Sequence, residues 1–329
     1  MEKSIQRSPH AWMVLAIVAA VMLWLSQIVS AQELKTLRIL VPAAPGGGWD
    51  QTSRAMQTVL QEQKIVSTVE VFNVAGAGGT VGLARLATTE KGKGDILMTM
   101  GAVMVGAILT NKSPVGLDQT TPLARLTAEY EVIAVPASSP HKTLADLLRV
   151  LKADPGSVSW AGGSAGGIDH ILVGLIGKEQ GITAPRLNYV PFSGGGEALA
   201  SILGGHVTAG VSGYGEWLPQ IQAGQLRVLA VSSEQRIPGV DLPTLREQGI
   251  NVALANWRGV VAPGGVSEGD KKALIATMEK VAKSDAWKKI LQTRSWNDYF
   301  LAGDPFAKFI IAENTRIQAI LNEIGLTKK

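Results

Sequence analysis

Beyond residue 35 the chain alternates short apolar, β-rich runs with segments whose apolar residues recur every three or four positions. The first runs predict strands at 37–43, 69–73 and 95–100, each followed by a helical segment, at 50–63, 80–89 and 103–110. A second set follows, with strands at 131–136, 158–161, 187–191, 206–211 and 226–231 and helices at 143–153, 169–180, 197–203 and 216–223. Thr143 is placed to cap its helix and Asp154-Pro155-Gly156 to stop it. The last third predicts a strand at 257–262, one long helix at 267–286 and a final helix at 305–325. This β-loop-α rhythm argues for parallel sheets with helices on both faces.

The two sets suggest two α/β lobes. One is expected to use residues 32–134 plus 233–329 and the other 135–232, with segment 234–243 as the return crossing. A chain that crosses twice makes a two-segment hinge, suited to opening and closing around a ligand. No repeat period or low-complexity linker interrupts the pattern.

Composition narrows the class. At 329 residues, 46% hydrophobic and 18% charged, the chain is long and apolar enough for two ordinary cores. The absence of cysteine excludes disulfides, thiolate metal sites and a cysteine nucleophile. Lys3 and Arg7 precede an apolar run at 11–25 and then Val29-Ser30-Ala31, the order of a secretory signal peptide, with cleavage expected after Ala31. The run is shorter than the roughly 20 residues a spanning anchor needs. Cleavage removes two basic residues and one acidic residue, so the formal charge falls from +4 to +3. That charge is too small and dispersed for nucleic acid. The three remaining histidines, His141, His170 and His206, are far apart in sequence, so no metal or other cofactor is expected.

The chemistry is concentrated in glycine-rich junctions between strands and helices: Pro45-Gly46-Gly47-Gly48-Trp49-Asp50, Gly76-Ala77-Gly78-Gly79-Thr80, Ser164-Ala165-Gly166-Gly167, Ser193-Gly194-Gly195-Gly196 and Ser212-Gly213-Tyr214-Gly215. One such loop is an ordinary tight turn. Five, all at carboxyl ends of strands, point to a cleft. A helix N-terminus offers unpaired N–H groups and partial positive charge, and glycine lets a ligand approach that backbone, so the pattern favours an anion. Trp49 and Tyr214 are expected to wall the pocket, and Trp217 to pack in the core.

Three enzyme-like matches compete. Gly162-Gly163-Ser164-Ala165-Gly166 fits the G-x-S-x-G nucleophile elbow, which would make the chain a secreted serine hydrolase using Ser164. His206 is the downstream partner it would need, since His170 lies in the same helix, and no His-Gly-Gly oxyanion signature is present. The run from Gly76 to Gly82 misses the dinucleotide fingerprint by one position, and no P-loop occurs.

These motifs together resemble the receptors of tripartite tricarboxylate transporters, the Bug family. The resemblance runs through LRILVPAAPGGGWDQTSRA (37–55), NVAGAGGTVG (73–82), GGSAGGIDHI (162–171), YVPFSGGGEALASILGGHVTAG (189–210) and LPQIQAGQLRVLAVSSEQR (218–236). It covers nearly all of the chain after the leader. It implies a two-lobe periplasmic binding protein of the Venus-flytrap type that binds a small carboxylate, with a di- or tricarboxylate favoured by the Gly-Gly-Gly-Trp-Asp form of the first loop. It also implies a periplasmic location and two membrane partners, a large and a small permease subunit. The chain is expected to act as a monomer without enzymatic activity. The same closed form docking on a membrane sensor is an alternative.

The resemblance maps ligand-holding loops onto 45–50 and 164–167, with 193–195 and 212–214 as the floor. Backbone N–H groups of Gly47, Gly48, Trp49, Ala165 and Gly166 are expected to take a carboxylate. Hydroxyls of Ser164, Ser193, Ser212 and Thr80 would orient it, with Gly46, Asp50, Gly78, Gly194, His170 and Tyr214 around it. Amino-acid-binding relatives place an acidic residue toward the ligand. Asp50, Asp169 and Glu197 are the candidates here, and each also suits a helix start.

Overall fold

The computed structural model describes residues 34–327. The leader reading falls on residues 1–33 and lies outside the described residues.

In chain order, β1 (Thr36–Val41), α1 (Gly48–Glu62), β2 (Thr68–Asn73), α2 (Thr80–Thr88), β3 (Ile96–Gly101) and α3 (Ala102–Thr110) form the first set. β4 (Thr120–Pro136), α4 (Leu144–Ala153), β5 (Ser159–Gly162), α5 (Ile168–Glu179), β6 (Asn188–Pro191), α6 (Gly195–Leu203), β7 (Ala209–Gly213), α7 (Tyr214–Gln222) and β8 (Leu226–Val231) follow. The chain ends with β9 (Ala255–Pro263), α8 (Glu268–Lys283), α9 (Asp285–Thr293), β10 (Asn297–Ala302) and α10 (Asp304–Ile324).

The strands run in the order β2-β1-β3-β9-β4-β7-β5-β6, with β10 and β8 also paired to β4. The trios β2-β1-β3 and β6-β5-β7 are parallel, as βα repeats require. β4 and β9 run antiparallel between them. β4 carries the join: its residues from Thr120 to Tyr130 face β9, and those from Glu131 to Pro136 face β7 and β8. The chain returns between β8 and β9, and Ser232 ties the two passages together. Its hydroxyl accepts from the Glu131 amide at 2.9 Å and donates to the Leu254 carbonyl at 2.6 Å.

The apolar pattern explains the layers. In β1, Leu37 and Ile39 enter one buried cluster and Leu40 another, as alternation along a strand covered on both faces demands. α1 lays Ala55, Met56, Val59 and Leu60 on the first cluster. Truncating a side chain such as Met56 to alanine there costs about 2–5 kcal/mol. No helix among the described residues is long and apolar enough to cross a membrane.

Three elements differ from the sequence expectation. β4 begins at Thr120, eleven residues before the expected start at 131. Its early part carries Pro122, Arg125 and Glu129, which read locally as strand breakers, yet Arg125 and Glu129 are buried by tertiary partners. β10 was not expected, because Asn297 and Asp298 mask a strand that pairs with β4. The helix expected at 267–286 is two helices, broken at Ser284. There the backbone turns extended and the hydroxyl accepts from the Trp287 amide at 3.1 Å, capping α9.

Candidate functional site

Five helices, α1, α2, α5, α6 and α7, begin at the glycine-rich junctions, and none has a side-chain cap. By contrast α4, α8 and α9 are capped by Thr143, Ser267 and Ser284. An uncapped start leaves N–H donors free for something other than the chain's own side chains.

The loops are held by residues four positions on. The Gly46 amide donates to Asp50 Oδ2 at 3.0 Å, the Gly166 amide to His170 Nδ1 at 3.1 Å, and the Ser193 amide to Glu197 Oε2 at 2.9 Å. Asp50 also receives Arg54 at 2.9 Å and Asn73 at 3.0 Å. Its carboxyl stays below its ordinary pKa, because these bonds outweigh its burial. His170 stacks on Tyr189, with centroids 4.1 Å apart. Burial lowers its pKa to about 4, so it is neutral and free to accept from Gly166. The Tyr189 hydroxyl donates to the Gly163 carbonyl at 2.6 Å.

These loops close on a cavity of about 50 Å³. Gly47, Gly48 and Trp49 line one side, and Gly163, Ser164, Ser193, Gly194, Gly195 and Ser212 the other. Asp169, Glu216, Asn256 and Arg258 complete it. A cavity of about 330 Å³ lies beside it, lined by residues 76–79, Ser164, Ala165, Ser193 and Glu197 among others, with Ser164 and Ser193 common to both. The backbones of two junctions touch: a Cβ on Gly47 would sit 3.5 Å from Gly194 Cα. Gly48 lies so close to the Arg258–Glu216 pair that any Cβ would overlap it.

Of the residues singled out in the sequence, Gly47, Gly48, Trp49, Ser164, Asp169, Ser193, Gly194 and Ser212 line the smaller cavity. Gly78, Ala165 and Glu197 line the larger. Gly46, Asp50, Gly166 and His170 stand behind, holding the loops. The Gly166 amide is engaged by His170 and is not free for a ligand. The Thr80 hydroxyl is turned to the Ala77 carbonyl at 2.9 Å, and Tyr214 packs into an apolar cluster. Trp217 is fully buried, its indole N–H donating to the Gly195 carbonyl at 3.0 Å. The Ser164 hydroxyl has no histidine partner among the described residues.

Sequence reasoning missed the charged floor. Arg258 Nη2 donates to Glu129 and, at 2.7 Å, to Glu216 Oε1. Glu129 also receives the Trp296 indole N–H at 3.1 Å, and Glu216 the Ser212 hydroxyl at 3.3 Å. Burial, then Arg294's charge, lowers Arg258 to about 9. Burial, then Asp169's charge, raises Glu216 to about 8. Asp169 is raised by burial to about 6, although the Gly163 amide donates to it at 2.6 Å. Glu131 is fully buried and is pushed well above the carboxylate range by burial and by Asp169 and Glu216. It therefore holds a proton. The available signal was charge inside apolar strand runs, which is costly unless paired. Among the described residues no group of three or more His, Cys, Asp or Glu is arranged for a metal ion.

A parallel α/β frame joined through long antiparallel strands, with helix starts converging on a cleft, defines the fold of periplasmic solute-binding proteins. The model of the tripartite tricarboxylate transporter family receptor matches residues 53–326, and the chain belongs to that family. Among curated proteins it is similar to a UPF0065 protein in the gbd 5' region of Cupriavidus necator, 29% identical over 60% of this chain and 59% of that one. It is also similar to Protein BugT of Bordetella pertussis, 28% identical over 90% and 91%. Among solved structures the periplasmic binding protein BugD superposes with TM-score 0.82 at 20% identity, covering 89% of this chain and 99% of that one. MatC of Rhodopseudomonas palustris with bound malate gives 0.75 at 22%, over 89% and 99%. Rpa4515 of R. palustris with adipate gives 0.79 at 22%, over 88% and 97%. Identities this low show a shared fold. The expected α/β class and family are thus established.

Proposed function

We propose that the chain is a periplasmic receptor that captures a small di- or tricarboxylate and delivers it to the large and small membrane subunits of a tripartite tricarboxylate transporter. The observation that carries this reading is the convergence of uncapped helix starts and three serine hydroxyls on one cavity. Each helix start favours an anion by about 0.3–2 kcal/mol, and several acting together hold a carboxylate without a dedicated surface cation. The malate and adipate bound by MatC and Rpa4515 support the ligand class.

In this reading the amides of Gly47, Gly48, Trp49, Ala165 and Gly194 and the hydroxyls of Ser164, Ser193 and Ser212 meet the ligand. Residues 32–134 plus 233–329 form one lobe and 135–232 the other. Binding closes them about the passages that Ser232 joins, and the closed form is what the membrane subunits recognise. The protein acts as a monomer and catalyses nothing.

Calorimetric titration of the purified protein with malate, succinate, citrate and adipate tests this. Saturable one-to-one binding of at least one is expected. Turnover of a small ester that is lost in Ser164→Ala would instead establish a hydrolase.

A further inference from the structure

β9 presents a pair of groups to the cavity that nothing among the described residues satisfies. Asn256 and Arg258 are two residues apart on this strand, so their side chains leave the same face, while Trp257 leaves the other and donates to Glu313 at 2.8 Å. Both line the cavity, and both are more than nine-tenths buried, at 5% and 2% exposed. Arg258 Nη1 has no acceptor, and Asn256 Oδ1 has no donor. A buried donor and a buried acceptor left unpaired are each costly, and side by side they describe the complement of a missing partner.

That partner must accept from the guanidinium and donate to the amide oxygen. We propose that the receptor selects a carboxylic acid bearing a hydroxyl next to a carboxylate. The carboxylate would lie on Arg258 Nη1 and the hydroxyl on Asn256 Oδ1. This deepens the receptor reading above and rests on it.

An ammonium in place of the hydroxyl would need three acceptors. Glu216 already spends its oxygens on Arg258 and Ser212, and Asp169 Oδ2 takes the Gly163 amide. Asn256 Oδ1 is a neutral acceptor left unpaired, which suits a group with one proton to give. The size also agrees. A cavity of about 50 Å³ has room for roughly four water-sized groups, enough for a carboxylate and its neighbouring hydroxyl. The rest of the ligand would extend past Ser164 and Ser193 into the larger cavity.

The test is calorimetric titration of the purified protein at pH 7 with pairs that differ in one hydroxyl: malate against succinate, and citrate against tricarballylate. Aspartate is included as the ammonium analogue of malate. The proposal expects the hydroxy acid of at least one pair to bind tenfold or more tighter than its deoxy partner. It also expects malate to bind more tightly than aspartate. In Asn256→Val the hydroxyl preference, the ratio of the two affinities within a pair, should fall below threefold. Equal affinity within both pairs would overturn the proposal but leave the receptor reading standing. Aspartate binding above malate would overturn the hydroxyl assignment. Binding of none of these acids would remove the receptor reading and the proposal together. If Asn256→Val does not fold, the paired titrations of the parent protein still decide the matter.

Discussion

Arg258 Nη2 on β9 lies 2.7 Å from Glu216 Oε1 on α7, and the Gly48 backbone at the start of α1 rests against both. Three distant stretches of sequence therefore meet at one buried hydrogen-bonded pair under the cavity. Removing the guanidinium leaves Glu129 buried without a countercharge and Glu216 without its donor. Arg258→Met should destabilise the fold by about 3–5 kcal/mol, read as a fall in the urea midpoint with an unchanged m-value.

The same cluster sets a pH dependence. Glu216 is raised to about 8, so in the native state it binds a proton that the unfolded chain has already released above about pH 5. Stability from such a group is fully present at low pH and is lost as pH rises through the native value. Between pH 6.5 and 8 the unfolding free energy should fall by about 2 kcal/mol. Arg258, at about 9, stays charged in this window, and His170, neutral in the native state but half protonated at pH 6.5 in the unfolded chain, offsets only about 0.4 kcal/mol of the fall. Guanidinium titrations at the two pH values measure the drop, and Glu216→Gln should remove most of it.

His170 acts in the opposite sense to the raised carboxyls. It is depressed to about 4, so the unfolded chain takes up a proton first and the contribution of this group to stability is lost as pH falls below about 6.5. His170→Phe keeps a ring to stack on Tyr189 but leaves the Gly166 amide without its acceptor. Thermal unfolding should show a loss of about 1–2 kcal/mol at pH 7 and a steeper gain in stability from pH 6.5 to 5, because Glu216 and Asp169 then act unopposed.

Two adjacent glycines should behave differently. A Cβ on Gly47 meets Gly194 Cα at 3.5 Å, an ordinary contact, and its φ of −78° suits any residue. Gly47→Ala should change stability by no more than about 0.5 kcal/mol. A Cβ on Gly48 would enter the Arg258–Glu216 pair. Gly48→Ala should cost about 1–3 kcal/mol and weaken carboxylate binding at least tenfold. Paired melting curves and titrations of the two variants check the contrast.

The βα rhythm and the glycine junctions were legible because their signals are local: apolar periodicity, and glycine where a strand turns into a helix. The sequence-selected residues that line the smaller cavity all come from such junctions or, as with Asp169, from the helix turn that follows one. The charged floor was not legible in the same way. Glu129 and Glu216 lie 129 and 42 residues from Arg258, and a charge within an apolar run looks like the end of a strand until its partner is known. β4 was cut short for this reason. Asp169 was visible as a helix-start residue, but Glu131, whose pKa its charge helps to raise, arrives from a distant strand. Asp50 and His170 were chosen for the right loops, and the structure gives them the work of fixing backbone amides.

The most direct test of the central claim is thermal unfolding of the purified protein, at pH 7, alone and with malate, succinate, citrate or adipate. A ligand at about one hundred times its Kd stabilises the native state by about 2.7 kcal/mol, so at least one acid should raise Tm by about 5 °C or more, and the rise should fall by about half or more in Gly48→Ala. No shift with any of the four acids would contradict a carboxylate receptor built on this cavity.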